Sequence, residues 1–288
     1  VTSSHVGIWI AGNGHHEVTE VTVMNTANDA ISINSNNNKV VGCNVIDAGN
    51  GPDGDTNGDG IDIGIGAKFN TVEKNTILRA GDDGMDIDGD ENIIKSNKII
   101  DTVFEDAMVV RGYGNTVEDN VIQGAPTGDG IDVKCNKNPD VEDEPDDCAF
   151  GMNGDHVVKD NKITGAGKRG MKIATKDTLV ESNQIIDSGK DGMRVYGKDD
   201  RGQETGSNCV IKNNIIKGSG RLENSQALEL EASDCTIEDN TITNNNDIGI
   251  QVEGDRNDIT GNVVNANVIG IKIDEGANDN VITDNTVH

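Results

Sequence analysis

The sequence has few aromatic residues and few leucines. Aromatics make up 2% of its 288 residues, and leucine occurs 5 times against 32 isoleucines and 27 valines. So few rings exclude a conventional globular core built on large aromatic side chains. The excess of Ile and Val over Leu argues against a mainly helical protein, because Leu favours helices whereas Ile and Val favour strands. The Ile and Val residues are regularly spaced, which argues against disorder.

Basic residues are also scarce. The chain has 24 Lys and Arg against 51 Asp and Glu, which gives a net charge of -27. So acidic a surface repels nucleic acid and anionic membranes and attracts cations, among which Ca²⁺ suits clustered Asp side chains. No apolar run approaches the roughly 20 residues of a membrane span, and no signal peptide is present. We therefore expect mature protein or an excised domain, with no nucleic-acid partner and no membrane span.

Five cysteines bear on the cellular compartment. Cys135 and Cys148 bracket an acidic loop, which suggests a loop-closing disulfide. Cys209 and Cys235 occupy matching places in NCVIKNN and DCTIEDN, so in a repeat protein they stack on neighbouring coils and can also bond. Cys43 is left over. These spacings suit an oxidising compartment, and we expect a secreted or cell-surface protein.

One short pattern recurs along the whole chain: a small residue, an aliphatic, a variable residue and a second aliphatic, as in GIDI and GMKI. Successive copies are mostly 21 to 24 residues apart, with three longer intervals of 30, 40 and 35. Each unit holds two or three runs of period-two alternation separated by turn residues, which fits one coil of a parallel β-helix. The sequence thus predicts an all-β solenoid of about eleven coils. The variable positions are Trp9, Ser32, Asp62, Asp86, Val109, Asp132, Lys172, Arg194, Glu229, Gln251 and Lys272.

A second pattern, close to V-x-x-N-x-I, runs between these triplets. Its Asn residues are predicted to point inward and to hydrogen-bond to their neighbours on the coils above and below, because buried amides need partners. The Asn residues of this pattern are Asn44, Asn75, Asn97, Asn120, Asn161, Asn183, Asn214, Asn240, Asn262 and Asn285.

No linker or change of composition divides the chain, so we expect a single domain over residues 1–288. Insertions near residues 47–58, 135–148 and 198–208 interrupt the repeat. Insertions in a solenoid become loops on one face and often wall a binding groove. We expect a monomer, which can also be part of a larger multidomain protein.

The variable positions should stack into one outward column, because strand side chains alternate between the two faces. Within this column Lys172 and Arg194, together with Arg169 just before a strand, form a positive strip beside Asp132. A basic strip on an acidic rod indicates binding of an acidic polymer along the axis. The alternative is a charge ladder in which Asp132 pairs with Lys172 and Arg194 pairs with Glu229.

Aspartates are densest in GDGIDI (58–63) and GDDGMDIDGD (81–90). Asp59 and Asp83 are 24 residues apart, as are Asp62 and Asp86, so these carboxylates should meet on adjacent coils. Like charges stacked about 4.8 Å apart are costly unless a cation lies among them or protons are retained. The cluster, which includes Asp82, therefore predicts a Ca²⁺ site. The alternative is a set of solvated turns in which Asp-Gly serves the bend.

Residues from about 5 to 90 resemble the calcium-dependent pectate lyases of polysaccharide lyase family nine. In that family an Asp before a Gly is followed about one coil later by an Asp-Asp-Gly-x-Asp segment, and these Asp residues bind the catalytic calcium. Asp59 of GDGI matches the first, and Asp82, Asp83 and Asp86 of GDDGMD match the second. The resemblance implies a right-handed parallel β-helix and a secreted lyase that uses Ca²⁺ to cleave a uronate-containing polysaccharide by β-elimination. The remaining chain matches only as generic β-helix repeats.

The chain departs from this family at the catalytic lysine, because Val109 occupies the matching place in DAMVVRG. β-Elimination needs a cation to neutralise the uronate carboxylate and a base to take the C5 proton. The nearest outward cations, Arg111 and Lys134, are the candidate bases. Lys172 lies three coils from Asp86, roughly 14 Å away, which is too far to act on a sugar held by the same calcium.

Other functions fit the same fold. A non-catalytic β-helix that binds carbohydrate or serves as a surface or structural module is the main alternative, since the family lysine is missing and aromatics for sugar stacking are scarce. An alginate-type lyase is a second alternative, because Lys172 or Lys176 lies one coil from Arg194, as a Lys and an Arg do in family-six lyases, and a uronan epimerase uses the same fold and similar chemistry.

Overall fold

A computed structural model describes residues 5–49, 58–136, 153–198, 202–222 and 225–288. In these residues the chain forms three parallel β-sheets of eleven strands each, and every coil adds one strand to each sheet. The described residues contain no helix, and so none that could cross a membrane. The predicted all-β solenoid of about eleven coils is therefore confirmed. Most of the 47–58 and 135–148 insertions, and part of the 198–208 insertion, lie outside the described residues.

The three sheets, named A, B and C, follow one another along each coil. The strands of sheet A are Ile8–Ile10, Ile31–Ile33, Ile61–Ile63, Met85–Ile87, Met108–Val110, Ile131–Val133, Met171–Ile173, Met193–Val195, Leu228–Leu230, Ile248–Val252 and Ile269–Ile273. The strands of sheet B are Glu17–Thr19, Lys39–Val41, Thr71–Glu73, Ile93–Lys95, Thr116–Glu118, Val157–Lys159, Leu179–Glu181, Val210–Lys212, Thr236–Glu238, Asp258–Thr260 and Val281–Thr283. The strands of sheet C are Thr22–Met24, Asn44–Ile46, Thr76–Leu78, Lys98–Ile100, Val121–Ala125, Lys162–Ala166, Gln184–Ile186, Ile215–Lys217, Thr241–Thr243, Val263–Asn265 and Thr286–Val287.

The core is a thin stack of aliphatic side chains. In sheet A the first and third residues of each triplet face inward, so that Ile61, Met85 and Met108 stack on successive coils and are fully buried. In sheets B and C the middle residue faces inward, as Val72 and Ile94 do. Stacked residues of one size fill this narrow interior, which leaves no role for large rings. Three aromatic side chains lie at the surface: Trp9, Phe69 and Phe104.

Small residues recur before the strands of sheet A, and glycine is required where consecutive coils approach most closely. A Cβ atom on Gly84 would lie 2.4 Å from the carbonyl oxygen of Ala107 and 2.5 Å from Cγ2 of Ile99. Gly60 is crowded in the same way by Gly84 and Ile77. The small residue of the repeat is therefore set by the close approach of consecutive coils.

The predicted asparagine ladder is present in the two-residue turns between sheets B and C. Asn120 is typical: its backbone N–H donates to Oδ1 of Asn161 at 3.0 Å, and its Nδ2 donates to the carbonyl of Ile94 at 2.9 Å. The ladder runs through nine of the ten predicted residues, from Asn75 to Asn285. The prediction for the tenth residue, Asn44, is wrong. Asn44 is exposed at the start of a strand, and Cys43 occupies the ladder position, where its N–H donates to Asn75 at 2.8 Å.

The cysteines are only partly described. Cys209 and Cys235 lie on adjacent coils, as predicted, since the N–H of Thr236 donates to the carbonyl of Cys209. Both are buried free thiols, so the disulfide considered between them is not present, and Cys43 is also a buried free thiol. The predicted partner of Cys135, Cys148, lies outside the described residues.

Candidate functional site

The outward column of sheet A has the predicted register. Asp62 pairs with Asp86, Val109 with Asp132, and Lys172 with Arg194 on neighbouring strands. The column is not uniformly exposed, however. Val109 is 1% and Asp132 is 2% exposed, and both Lys134 and Lys172 contact the carboxylate of Asp132. Outward orientation, which the sequence predicts, therefore differs from solvent access.

Aspartates at the turn before the sheet A strands form a ladder of their own. The backbone N–H of Asp83 donates to Oδ1 of Asp59 at 3.0 Å, and that of Asp106 donates to Oδ1 of Asp83 at 2.8 Å. Asp129 donates in the same way to Asp106 at 2.6 Å, and Arg169 donates to Asp129 at 2.7 Å. Asp83, Asp106 and Asp129 are buried and Asp59 is partly exposed, and each accepts a backbone N–H, so these residues do more than form solvated turns.

The coils of sheet A that carry Asp62 and Asp86 are strongly acidic, and basic side chains neutralise only part of this charge. Burial, followed by repulsion from Asp86 and Asp83, raises the pKa of Asp59 well above its usual value. Burial raises the pKa of Asp62 to about 7 although the hydroxyl of Ser32 donates to its Oδ2 at 2.7 Å. Burial, then repulsion by Asp86, likewise raises the pKa of Asp83. Such carboxyls hold a proton or need a cation.

Oxygen atoms dominate this acidic part of the face, which suits the donor preference of Ca²⁺. The five predicted ligands, Asp59, Asp62, Asp82, Asp83 and Asp86, are nevertheless not a tight group. Among the described residues, sets of three or more carboxylates with oxygens within 4.8 Å of one another occur at two other places, and a cation at the predicted place requires side-chain rotation. Those two sets are Asp106, Asp129 and Asp132, and Glu229, Glu231 and Glu253.

The free energy of unfolding should fall as the pH rises and the aspartates of the acidic cluster lose their protons. Because the folded pKa of Asp62, about 7, lies above the usual aspartate value of 3.8, the folded protein keeps a proton that the unfolded chain has lost. The stability contributed by this proton is complete below pH 3.8 and is lost as pH rises to about 7. We expect Asp62→Asn to raise the thermal midpoint by several degrees at about pH 8 and to change it little below about pH 4. Thermal melts in metal-free buffer measure this, with the exposed Asp160→Asn as control; equal pH profiles for both variants would exclude the assignment.

The candidate bases Arg111 and Lys134 are both held by carboxylates. Nη1 of Arg111 donates to Asp86 at 2.6 Å and to Asp88 at 2.8 Å, and the side chain is only 3% exposed. A guanidinium is much harder to deprotonate than an ammonium, so Arg111, with two ion pairs, is a poorer base than Lys134. Nζ of Lys134 lies 3.2 Å from Oδ2 of Asp132, on the outward face one coil further along.

Three of the predicted binding residues converge on one aromatic ring. The guanidinium carbon of Arg194 lies 4.7 Å from the ring centre of Tyr196. The guanidinium carbon of Arg169 and Nζ of Lys172 each lie 5.5 Å from the same centre. Burial raises the pKa of Tyr196, while the three cations oppose that shift. The ring is half-buried and its hydroxyl is the only uncharged acid among these groups. We call Arg169, Lys172, Arg194 and Tyr196 the tyrosine cluster.

Each cation of the tyrosine cluster also has a carboxylate partner. Lys172 lies 3.1 Å from Oδ2 of Asp132, so this oxygen is shared with Lys134. Burial raises the pKa of Asp132, but the two lysines outweigh it and leave the pKa below its usual value. The predicted charge ladder is therefore present, and the site is a compensated network rather than a free positive strip. The remaining pairs are Arg194 with Glu229 at 3.0 Å and with Glu231, and Arg169 with Asp129 at 3.6 Å and Asp191 at 3.4 Å.

Two residues of this network, Tyr196 and Glu231, were absent from the sequence prediction. Each stands two positions beyond a residue of the outward column, in GMRVY and ALELE, and shares its face. The same spacing singled out Arg111 and Lys134. Extending the rule to every coil would have found both residues.

A family model described as "Right handed beta helix region" matches residues 1–144 and 148–288. No curated protein matches the sequence.

Several solved structures have a similar fold. The Dettilon tailspike protein is 13% identical with a TM-score of 0.59, over 95% of this chain and 60% of its own. The lidless DFA-IIIase of Arthrobacter chlorophenolicus A6 is 14% identical with a TM-score of 0.61, over 99% and 71%. The alginate lyase of Paenibacillus sp. str. FPU-7 is 10% identical with a TM-score of 0.58, over 93% and 95%. At these identities the likeness concerns the fold alone.

Proposed function

Because the chain belongs to the right-handed β-helix family, we propose that it is a secreted polysaccharide lyase that cleaves a uronate-containing polymer across sheet A. The observation that carries the proposal is the tyrosine cluster, in which three cations surround one proton donor. Similar folds include an alginate lyase, which supports a carbohydrate substrate, and the DFA-IIIase leaves other carbohydrates open to test.

In the proposed reaction the cations act on the sugar carboxylate. Arg169 and Arg194 face the ring of Tyr196 from two coils, so a uronate lying over the ring meets two guanidinium groups. Guanidinium groups bind carboxylates through paired hydrogen bonds. Neutralising the carboxylate makes the C5 proton more acidic, which is the first requirement of β-elimination.

Proton transfer is assigned to Tyr196 and a lysine. The base takes the C5 proton, its electron pair forms the C4–C5 double bond, the C4–O4 bond breaks, and Tyr196 donates a proton to O4. The surrounding cations stabilise the phenolate that results. Lys134, which shares an oxygen of Asp132 with Lys172, is the predicted base nearest to this cluster, whereas the paired Arg111 organises Asp86 and Asp88.

Calcium remains part of the proposal at Asp59, Asp62, Asp82, Asp83 and Asp86. When bound there it would supply positive charge for substrate carboxylates along the acidic part of the groove. The raised pKa values of Asp59 and Asp83 support a need for such charge. Sugars bound above both regions would then span about four coils, close to 20 Å.

A non-catalytic carbohydrate-binding module is the second candidate. The observation that favours it is the pairing of every cation in the tyrosine cluster with a carboxylate. Such pairs hold the side chains in place and weaken their pull on a substrate. A module of this kind would bind acidic oligosaccharides without changing them.

The experiment is an assay on polygalacturonate and on alginate, with calcium and with a chelator. We expect the ultraviolet absorbance of unsaturated uronate to rise on at least one polymer, and the rate to fall about tenfold or more with chelator. Binding without new absorbance favours the module, and inversion at C5 without cleavage favours an epimerase. No binding and no product on either polymer would exclude the proposal.

A further inference from the structure

A second acidic cluster lies on sheet A beyond the tyrosine cluster. Glu229 and Glu231 belong to one coil, and Glu253 follows the paired strand on the next coil. Their carboxylate oxygens lie within 4.8 Å of one another. Nothing in the proposed reaction uses this group, and it is far along the rod from the predicted calcium ligands.

A buried amide oxygen without a hydrogen-bond donor lies beside the same cluster. Gln251 is 6% exposed and pairs in register with Glu229. Its Nε2 donates to Oδ2 of Asp274 at 2.5 Å and to Oε1 of Glu253 at 2.8 Å, while its own Oε1 is buried and accepts no hydrogen bond from the described residues. Because the two amide heteroatoms share one carbon, Oε1 lies within about 5 Å of that glutamate oxygen. A buried amide oxygen without a donor is unfavourable unless a water or a cation meets it.

The cluster carries more negative charge than its neighbours neutralise. Arg194 contacts Glu229 at 3.0 Å and also Glu231, so one guanidinium faces three carboxylates. Two net negative charges thus remain, which matches a divalent cation.

The other close carboxylate group differs in this respect. Asp106, Asp129 and Asp132 also have oxygens within 4.8 Å of one another. Three cations contact two of these carboxylates, whereas one guanidinium contacts the glutamates, so less negative charge is left uncompensated here even though Arg169 is shared with Asp191. These cations are Lys134, Lys172 and Arg169.

A cavity of about 280 Å³ beside the glutamates gives access to solvent. Its lining adds one acidic residue, Glu204, and one basic residue, Lys198, so the net charge of the cluster is unchanged. Its volume holds several waters, which can complete a coordination shell. The lining residues are Gly197, Lys198, Glu204, Glu231, Ser233 and Glu253.

We propose that Glu229, Glu231, Glu253 and Oε1 of Gln251 bind a divalent cation of the Ca²⁺ class. The donor set consists only of oxygens, and Ca²⁺ accepts six to eight of them in irregular geometry, with waters supplying the rest. Mg²⁺ fits less well because it demands a near-octahedral shell and keeps its waters. The ion cross-links two coils and the cavity wall that Gly197 and Glu204 form.

Terbium, which replaces Ca²⁺, tests the site through its luminescence. Tyr196 follows Val195, which pairs with Leu230, so its ring lies beside Glu231 and can sensitise a bound ion. We expect saturable tyrosine-sensitised emission that Ca²⁺ displaces, and an affinity at least about tenfold lower in Glu253→Gln. The matched control is Glu238→Gln, which removes one charge from sheet B of the same coil as Glu229.

A second readout keeps the test independent of the tyrosine. In the Asp83→Asn protein, which lacks one ligand of the other proposed calcium site, calcium should raise the thermal midpoint, and adding Glu253→Gln should abolish that rise, because binding to the folded state alone stabilises it. If Glu253→Gln binds terbium and responds to calcium as Glu238→Gln does, the site is not there. Because neither readout involves sugar, its result is separate from that of the lyase assay.

Discussion

Replacing Tyr196 with phenylalanine is expected to lower the rate of unsaturated uronate formation by about 10²- to 10⁴-fold, the usual contribution of a proton-transfer group. The ring and its contacts with Arg169, Lys172 and Arg194 remain, so only the donated proton is lost. The measurement is initial-rate absorbance on whichever polyuronate is the substrate. Because oligouronate still meets the same cations, its binding affinity should change little.

The chain supplies a matched control for this substitution. Tyr113, the other of its two tyrosines, donates to Asp155 and lies away from the tyrosine cluster. Tyr113→Phe should keep full activity. A Tyr196→Phe protein that turns over as fast as Tyr113→Phe would show that the phenol takes no part in proton transfer.

Replacing Asn183 with alanine is expected to destabilise the protein by about 3–5 kcal/mol, since several buried polar groups lose their partners. Asn183 accepts the N–H of Asn161 at 3.0 Å, and its Nδ2 donates to the carbonyl of Val158 at 2.8 Å and to Asn214 at 3.0 Å. All of these groups are buried, where no water can replace the lost bonds. The midpoint of urea unfolding measures the loss.

Asn44→Ala is the control for the asparagine ladder. Asn44 fits the same local sequence pattern but is exposed and outside the ladder. Its replacement should cost less than about 0.5 kcal/mol, as is usual for surface changes. Equal losses at Asn44 and Asn183 would mean that the stacked amides contribute nothing beyond side-chain size.

Much of the fold could be predicted from the repeat itself. The triplet spacing places Asp62 beside Asp86 and Lys172 beside Arg194 because each triplet is one coil from the next. Local sequence determines whether a side chain points inward or outward but not its place in a turn, which explains the error at Asn44. There the pattern selects Asn44, which comes one residue after Cys43, and Cys43 occupies the ladder position.

The site was less predictable because contacts between coils decide its chemistry. Arg111 reaches back to Asp86, and Lys134 and Lys172 both cover Asp132. Such contacts depend on side-chain rotation, which no spacing specifies. Tyr196 was overlooked because scarce aromatics suggested that none served the groove.

The central claim is that sheet A binds acidic sugars over the tyrosine cluster. A crystal structure of the Tyr196→Phe protein with a galacturonate or mannuronate oligosaccharide tests it most directly. We expect a uronate carboxylate within hydrogen-bond distance of Arg169, Lys172 or Arg194, with the chain of sugars running along the rod toward Asp86. An oligosaccharide bound on sheet B or sheet C, with the tyrosine cluster vacant, would contradict the claim.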